Sequence, residues 1–317
     1  MRGLRYSHQA MISYYFRTIK DTELKTIVEP RTGVWVHVVA PTQAEMEGLL
    51  AQFGLDEDIL EDARDFFEVP RFERSQGATY FFTRYPYNEQ TEDSDTAPLL
   101  IVMGESFVLT ISLREVPMFE KIIKGNLPVV TTQKTKLFIQ LMTQIISSYD
   151  SELVRLRKAV HKDRERLQKI GMKGVERLVQ FENRLNGIVE ALMPTTQWLS
   201  QITKGNYMQL YSDDIDDMQD LLIDANQVVD SARSILKTLQ NMRGGLEAIM
   251  TSRLNNSLSI LTVLTILLTV PLVIASLYGM NVDLPLQDTP WTFGGIIVIN
   301  LAILAGLVLL FKKKQWF

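Results

Sequence analysis

The most regularly spaced polar side chains of this sequence lie within a long apolar segment near its C-terminus. Asn255, Thr262, Thr269 and Ser276 follow one another at intervals of seven residues, and Thr265 lies near the same line. A seven-residue repeat keeps one face of a helix turned toward a common axis. The amide and hydroxyl oxygens of that face could line an ion pathway, or they could join neighbouring membrane helices through small polar contacts.

Acidic side chains cluster at the start of the helix that would carry this face. They are Asp213, Asp214, Asp216, Asp217, Asp220 and Asp224. Carboxylates favour the positive end of a helix dipole, and they can also bind divalent cations; a solvated helix end is the more common of the two. The histidines are His8, His37 and His161, which lack the spacing of a metal site, so we interpret them as structural or surface residues.

Composition excludes several classes of protein. The chain has 317 residues, enough for about two domains, and a formal net charge of -4. The complete absence of cysteine excludes disulfides, thiolate zinc sites, iron–sulfur clusters and cysteine nucleophiles. Mild acidity gives no support for nucleic-acid binding and makes cations the more natural partners. Because nucleophile-elbow, zinc-protease and kinase motifs are absent from the sequence, we predict neither an enzyme nor an organic cofactor.

Two uncharged segments, residues 254–282 and 289–311, are each long enough to cross a bilayer. Together they predict a membrane hairpin. Arg243 and Arg253 precede the first segment, and Lys312, Lys313 and Lys314 follow the second. By the positive-inside rule, both termini are cytoplasmic. The N-terminus lacks the apolar core of a signal peptide, so we expect the preceding 253 residues to stay in the cytoplasm and the protein to lie in the plasma membrane.

Residues 1–125 predict a small cytoplasmic domain that mixes strands and helices, of the α+β class. Short β-branched or aromatic segments predict strands over 33–39, 79–83, 99–103 and 107–111, with a hairpin turn at 104–106. Thr42 and Glu45 form a capping box for a helix that follows.

Residues 126–253 predict long stalk helices. One helix runs from Val175 towards Gly205, since Gly171 and Gly174 break the preceding pattern, and another starts after Ser212. If this last helix continues to Leu277, it is about 100 Å long at 1.5 Å per residue and needs neighbours to cover its apolar faces. Gly244 and Gly245 interrupt it, and their presence suits either a hinge or close helix packing.

The first apolar segment ends in Tyr278-Gly279-Met280-Asn281. With two C-terminal spans and a basic end, the chain resembles the CorA family of divalent-cation transport proteins, whose signature is Gly-Met-Asn at the end of the first span. Val282 replaces the usual phenylalanine, and the loop at 283–288 lacks the common Met-Pro-Glu-Leu pattern, which leaves ion preference open. Other segments in the family's order are Trp35-Val36, Ala40-Pro41-Thr42, Phe53-Gly54-Leu55, Leu60-Glu61-Asp62 and Pro70-Arg71-Phe72-Glu73.

The resemblance implies a funnel-shaped homopentamer in the lipid bilayer. Residues 254–281 would be the pore-lining transmembrane helix, 282–290 an external loop, 291–311 the second transmembrane helix and 312–317 a basic cytoplasmic tail. The filter would be Gly279, Met280 and Asn281, with the five Asn281 amide oxygens binding the outer hydration shell of Mg²⁺. Gly279 would permit close backbone approach or a positive φ, and Met280 would shape the turn.

Further residues acquire roles through the same resemblance. Asn255 matches an asparagine of the inner pore in relatives. Leu258 and Leu261 would form an apolar constriction that gates by dewetting, or would simply pack. Asp62 of one subunit would meet Asp220 of the next, with Mg²⁺ between them holding the pentamer closed. Mg²⁺ would then be both the transported and the regulatory ion.

Transport needs a driving force, and the sequence has no Gly-rich phosphate-binding loop with Lys-Ser/Thr. We therefore expect uptake driven by the membrane potential, of Mg²⁺ and also of Co²⁺ or Ni²⁺. One alternative is a proton-coupled Zn²⁺ transporter of the ZntB branch, which carries isoleucine where Met280 stands. Another is a membrane-anchored sensor or scaffold, for which the polar face of the first span would be dispensable.

Overall fold

The computed structural model describes residues 11–87, 96–167, 171–204, 210–282 and 289–314. They belong to two compact units, Met1–Gln240 and Asn241–Phe317. Residues 283–288 of the loop predicted at 282–290, the C-terminal residues 315–317 and His8 lie outside the described residues.

The first unit is built on a seven-stranded sheet. Its strands are β1 (Met11–Phe16), β2 (Lys25–Ile27), β3 (Val34–Val39), β4 (Arg71–Ser75), β5 (Ala78–Pro86), β6 (Thr96–Met103) and β7 (Phe107–Ser112). Their order across the sheet is β2-β1-β3-β7-β6-β5-β4, and β3 and β7 run parallel while the other described pairs are antiparallel. The four predicted strands are confirmed as β3, β5, β6 and β7.

Local signals in the sequence explain how the first helices begin and end. Helix α1 (Gln43–Phe53) starts at the predicted capping box, in which the Thr42 N–H donates to Oε2 of Glu45 at 2.8 Å. It ends at Gly54, whose φ of 61° is readily adopted only without a side chain. Helix α2 (Glu57–Asp62) follows directly. The predicted turn between β6 and β7 is also confirmed, since the Gly104 N–H donates to the Phe107 carbonyl at 3.0 Å.

Longer helices follow the sheet in the chain. After the short helix α3 (Glu120–Ile123) come α4 (Lys134–Leu167) and α5 (Gly171–Ile202). The prediction that Gly171 and Gly174 lie outside the second of these helices was wrong, because α5 begins at Gly171. The conformational cost of glycine is greatest inside a helix, and a first turn tolerates it more readily.

Both faces of the sheet are covered. On one face, side chains of α1 and α2 form a core cluster with alternate residues of the strands, such as Val36 and Leu109. On the other face, the ring of Phe81 packs against Phe138 of α4 and Trp198 of α5, with centroids 4.7 and 5.3 Å apart. This three-layer arrangement confirms the α+β prediction.

Helix α6 (Ser212–Tyr278) contains 67 residues and passes through Pro271. The predicted end at Leu277 is confirmed to within one residue. The helix is continuous through Gly244 and Gly245, and a Cβ on either glycine would meet no atom within 4 Å among the described residues. The predicted alternatives for these glycines, a hinge or close packing against another helix, both stay predictions.

The second unit contains the end of α6 and helix α7 (Thr292–Lys313). Both helices are long and apolar enough to cross a membrane by length and composition. Large apolar side chains project from them unburied, among them Leu268, Leu272, Leu301 and Leu309, each at least 60% exposed. Such a surface is stable against lipid or other apolar helices but not in water.

Candidate ion pathway and regulatory residues

The predicted polar face is present on α6 as one exposed stripe. Its members are Asn255, Thr262, Thr265, Thr269 and Ser276, all exposed in the chain. The less exposed residues of the same segment are Ser259, Val263, Ile266, Leu267, Val270, Pro271 and Ile274. At about 100° per residue, the centres of the two sets are roughly 120° apart around the helix. The polar stripe is therefore separate from the side of α6 that is covered within the chain.

The threonine hydroxyls of this stripe share one hydrogen-bonding pattern. Oγ1 of Thr262 donates to the Leu258 carbonyl at 2.8 Å, and Oγ1 of Thr265 donates to the Leu261 carbonyl at 2.9 Å. Thr269 donates in the same way to the carbonyl of Thr265 at 2.7 Å. Each hydroxyl proton is thus used by the helix backbone, and what remains available on each oxygen is its acceptor capacity.

Leu258 and Leu261, the predicted constriction, are 51% and 59% exposed. Leu258 lies within the arc of the polar stripe, about 40° from Thr262, and Leu261 lies at its edge. Since the chain itself buries neither side chain, both are free to contact other copies of α6.

The Gly-Met-Asn segment directly follows the last turn of α6. The Gly279 N–H donates to the carbonyls of Ala275 at 3.0 Å and Ser276 at 3.2 Å, which completes the helix end. Of the two predicted alternatives for Gly279, a positive φ is not adopted, since its φ lies outside the left-handed region; a Cβ there would lie 3.3 Å from the Ala275 carbonyl oxygen. The other alternative, close backbone approach, stays a prediction. Met280 and Asn281 are exposed.

Asp62, the first residue of the predicted regulatory pair, is already engaged by an arginine. It is the last residue of α2, and its Oδ2 accepts a hydrogen bond from Nη2 of Arg71 at 2.6 Å. The same guanidinium also pairs with Glu68 and, through Nε at 2.5 Å, with Glu73. The ion pair of Asp62 with Arg71 was not predicted from the sequence. Acidic residues two and three positions from Arg71 could have indicated that this arginine binds carboxylates.

Asp220 is exposed on α6. Among the described residues, no group of three or more acidic or histidine side chains could hold a metal ion. The predicted regulatory pair takes one carboxylate from each of two neighbouring chains, and this contact stays a prediction. Elsewhere in the acidic segment, Asp214 is buried and its Oδ2 accepts from the Tyr211 N–H at 3.4 Å, which is a helix-capping contact.

Two further polar residues are a buried histidine of the first unit and an asparagine of α7. His37 is buried in the first unit, where its Nδ1 lies 2.9 Å from Oγ1 of Thr110, so its predicted structural role fits. Asn300 was missed, although it is the one polar side chain between Gly295 and Lys312. Its Nδ2 donates to the Ile296 carbonyl at 3.2 Å, and its buried Oδ1 has no partner in the part of the chain that the structure describes.

Comparison with known proteins assigns the chain to a family. Residues 31–313 match the family model described as CorA-like Mg²⁺ transporter protein. The chain belongs to this family. The transported substrate of the family is Mg²⁺, and homologues are membrane transporters. Among similar sequences is the cobalt/magnesium transport protein CorA of Methanocaldococcus jannaschii, 25% identical over 320 residues, which cover 92% of this chain and 96% of the relative.

Solved structures agree with the fold of a CorA-like protein. The complete structure of the CorA magnesium transporter from Methanocaldococcus jannaschii matches with a TM-score of 0.85 and 20% identity, covering 98% of this chain and 99% of that one. The cytoplasmic domain of ZntB from Vibrio parahaemolyticus matches with a TM-score of 0.63 and 9% identity over 77% of this chain and 98% of that domain. The soluble parts of the CorA and ZntB proteins thus share one fold, and this fold does not by itself determine which ion is transported.

Proposed function

We propose that this chain forms a homopentameric channel or transporter that carries hydrated Mg²⁺ into the cytoplasm, with Co²⁺ and Ni²⁺ as further substrates. The observation that carries the proposal is the exposed polar stripe of α6, which ends at Gly279, Met280 and Asn281. One such helix encloses nothing. Five copies around a common axis would surround a pathway with hydroxyl and amide oxygens.

The chemistry of the stripe suits an ion that keeps its water. Mg²⁺ loses coordinated water reluctantly, and each bound water directs its protons outward. Threonine oxygens whose own protons are bonded to the helix backbone can accept those protons, as can the Asn281 side-chain carbonyl. Residues 254–282 contain no carboxylate that would compete with the hydration shell. The segment therefore favours recognition through outer-shell water.

The membrane potential is a sufficient driving force. A divalent ion that crosses 100 mV inward gains about 4.6 kcal/mol, which corresponds to an accumulation ratio above a thousandfold. The sequence has no phosphate-binding loop of the Walker type, and the proposed transport has no need of ATP.

We place both termini in the cytoplasm and the two spans in the plasma membrane, as the distribution of lysine and arginine favours. Asp62 and Asp220 would then face cytoplasmic Mg²⁺ at a contact between neighbouring subunits. An ion bound there would neutralise two like charges and hold the closed state; its loss would let them repel each other and favour opening.

Ion flux into proteoliposomes tests the transport proposal. Purified protein is reconstituted into liposomes that contain a Mg²⁺-sensitive dye. A membrane potential that is negative inside the liposomes is set with potassium and valinomycin. We expect Mg²⁺ entry that scales with the potential and is lost in Asn281→Ala. Asn226→Ala is the matched control, because Asn226 is an exposed asparagine of α6 outside the apolar segment and should leave flux unchanged.

Other outcomes would point to different functions. Mg²⁺ entry that persists in Asn281→Ala would reject the filter assignment. Zn²⁺ uptake that follows a proton gradient, without Mg²⁺ entry, would move the protein to the ZntB type of transport. If no cation enters under any gradient, the membrane-anchored sensor or scaffold becomes the better description.

A further inference from the structure

Arg71 holds three carboxylates at the outer face of the first unit. Its Nη2 contacts Asp62 at 2.6 Å, its Nε contacts Glu73 at 2.5 Å and its Nη1 pairs with Glu68. The guanidinium carbon also lies 4.2 Å from the centroid of the Phe82 ring, a cation–π contact that fixes the orientation of the guanidinium plane. Three carboxylates and one guanidinium give this cluster a formal charge of -2. The cluster therefore attracts cations, although Oδ2 of Asp62 is already bonded to Arg71.

The backbone around this cluster is anchored from the core side. Arg84, 8% exposed, donates from Nη1 to the carbonyls of Phe66 at 3.0 Å and Glu68 at 2.9 Å. At the start of α2, Oδ2 of Asp56 accepts from the Ser75 hydroxyl at 2.6 Å. The segment that carries the acids is therefore tied to the sheet at both ends, and the contacts of Arg71 belong to a preformed arrangement.

We propose that Arg71 competes with a divalent cation for Asp62 and so sets the cytoplasmic Mg²⁺ concentration at which the protein closes. This inference rests on the regulatory role proposed above for Asp62 and Asp220. A guanidinium and Mg²⁺ cannot occupy the same face of one carboxylate. The contact with Arg71 occupies Oδ2 of Asp62, so an ion that binds through this oxygen displaces the guanidinium, which retains Glu68 and Glu73. The free energy of the displaced contact is then subtracted from the affinity for the ion.

The competing contact is partly exposed, with Arg71 and Asp62 side chains 31% and 49% accessible. Exposed ion pairs are weak, so removal of Arg71 should lower the half-closing Mg²⁺ concentration by about two- to fivefold. A structural role for Arg71 would have the opposite consequence, because a misplaced Asp62 would bind Mg²⁺ less tightly and raise that concentration.

The test measures, for the full chain in detergent and in liposomes, the Mg²⁺ concentration that gives half-maximal protease protection and half-maximal inhibition of flux. We expect Arg71→Gln to lower both values. Arg71→Lys should also lower them, because one ammonium cannot bridge three carboxylates, and it retains the charge if the glutamine variant folds poorly. Arg74→Gln is the matched control: it removes the same charge from the same strand, but on the opposite face of β4.

Two aspartate variants separate the possible failures. If Asp62→Asn and Asp220→Asn both retain wild-type Mg²⁺ dependence, the proposed regulatory site is wrong and the role of Arg71 fails with it. If those variants lose the dependence but Arg71→Gln and Arg71→Lys match the wild type or need more Mg²⁺, the competition alone is overturned. Arg71→Gln should have no further effect in the Asp62→Asn background; an additive effect would mean that Arg71 acts through general charge.

Discussion

His37 is the buried titratable residue whose ionisation should govern the acid stability of the first unit. Its ring packs against those of Trp35 and Phe119, with centroids 5.6 and 5.8 Å away, and it contacts the hydroxyl of Thr110. Burial lowers the pKa of His37 from 6.5 to about 4, so the native protein holds it neutral at pH 7. The unfolded chain binds the proton first as the pH falls.

The contribution of neutral His37 to stability is thus complete above pH 6.5 and is lost as the pH falls toward 4, a difference of about 3 kcal/mol. Thermal unfolding of the full chain in detergent, followed from pH 7 to pH 4, measures this loss. We expect His37→Gln to unfold at lower temperature at pH 7 but to show a flatter dependence on pH. His161→Gln, at an exposed position of α4, is the control; parallel curves for His37→Gln and the wild type would contradict the assignment.

At the scale of single residues, sequence reasoning succeeded where the partners are close in the chain. The Thr42 and Glu45 capping box is set by a spacing of three, and Gly54 ends its helix without help from tertiary contacts. The contacts of Arg71 with Asp62 and of His37 with Thr110 span 9 and 73 positions. Such pairs depend on strand order and register, which periodicity does not contain.

Strands and helices, too, were predicted where their signal is local in the sequence and missed where it is not. The predicted strands have the β-branched and aromatic residues of buried positions, whereas the edge strands β2 and β4 read Lys25-Thr26-Ile27 and Arg71-Phe72-Glu73-Arg74-Ser75 and were not predicted. Edge strands carry charge because an apolar free edge would pair with other chains. The parallel pairing of β3 with β7 joins segments about 70 positions apart and had no local signal.

The polar stripe of α6 gives a prediction at the scale of one helix. Thr262→Val and Thr269→Val remove the acceptor oxygens but keep the branched shape of the side chain. If each ring of hydroxyls binds the hydration shell of Mg²⁺, losing a net hydrogen bond of roughly 1.4 kcal/mol lowers flux about tenfold per ring. Mg²⁺ entry into proteoliposomes, normalised to reconstituted protein, measures the effect.

Ser257→Ala is the control for this experiment, since Ser257 is exposed on α6 about 140° around the helix from Thr262. Native mass spectrometry of each variant separates a pathway from a packing surface. A stripe that only joins helices would lose oligomers in the valine variants. A sensor or scaffold would tolerate leucine at all five stripe positions.

At the scale of the whole molecule, one chain exposes surfaces that only lipid or other subunits would cover. In the described residues, the polar stripe of α6, large apolar side chains of α6 and α7 and the carboxylate of Asp220 are all exposed, as expected of a subunit rather than a complete transporter. Periodicity indicated this need for neighbours, because a helix of 67 residues cannot bury its faces alone. The number of neighbours follows only from the resemblance to the family.

The absence of cysteine makes the proposed subunit contact directly testable. In a chain with Asp62→Cys and Asp220→Cys, the introduced thiols are the sole targets of a short bis-maleimide. If Asp62 of each subunit meets Asp220 of the next around a closed ring, partial reaction gives a ladder of linked species that ends at five subunits. A contact within one chain would instead give a modified monomer and no ladder, because no covalent link would join subunits.

Mixing two singly substituted chains excludes accidental links between equivalent sites. Asp62→Cys subunits with one affinity tag and Asp220→Cys subunits with another are co-expressed, purified through both tags and treated with the same reagent. We expect dimers that carry both tags and few that carry one tag twice, because a head-to-tail ring brings each position next to its counterpart and not next to itself. Dimers linked equally among all combinations would mean that the residues merely collide, and the carboxylates would then have no fixed geometry in which to share an ion.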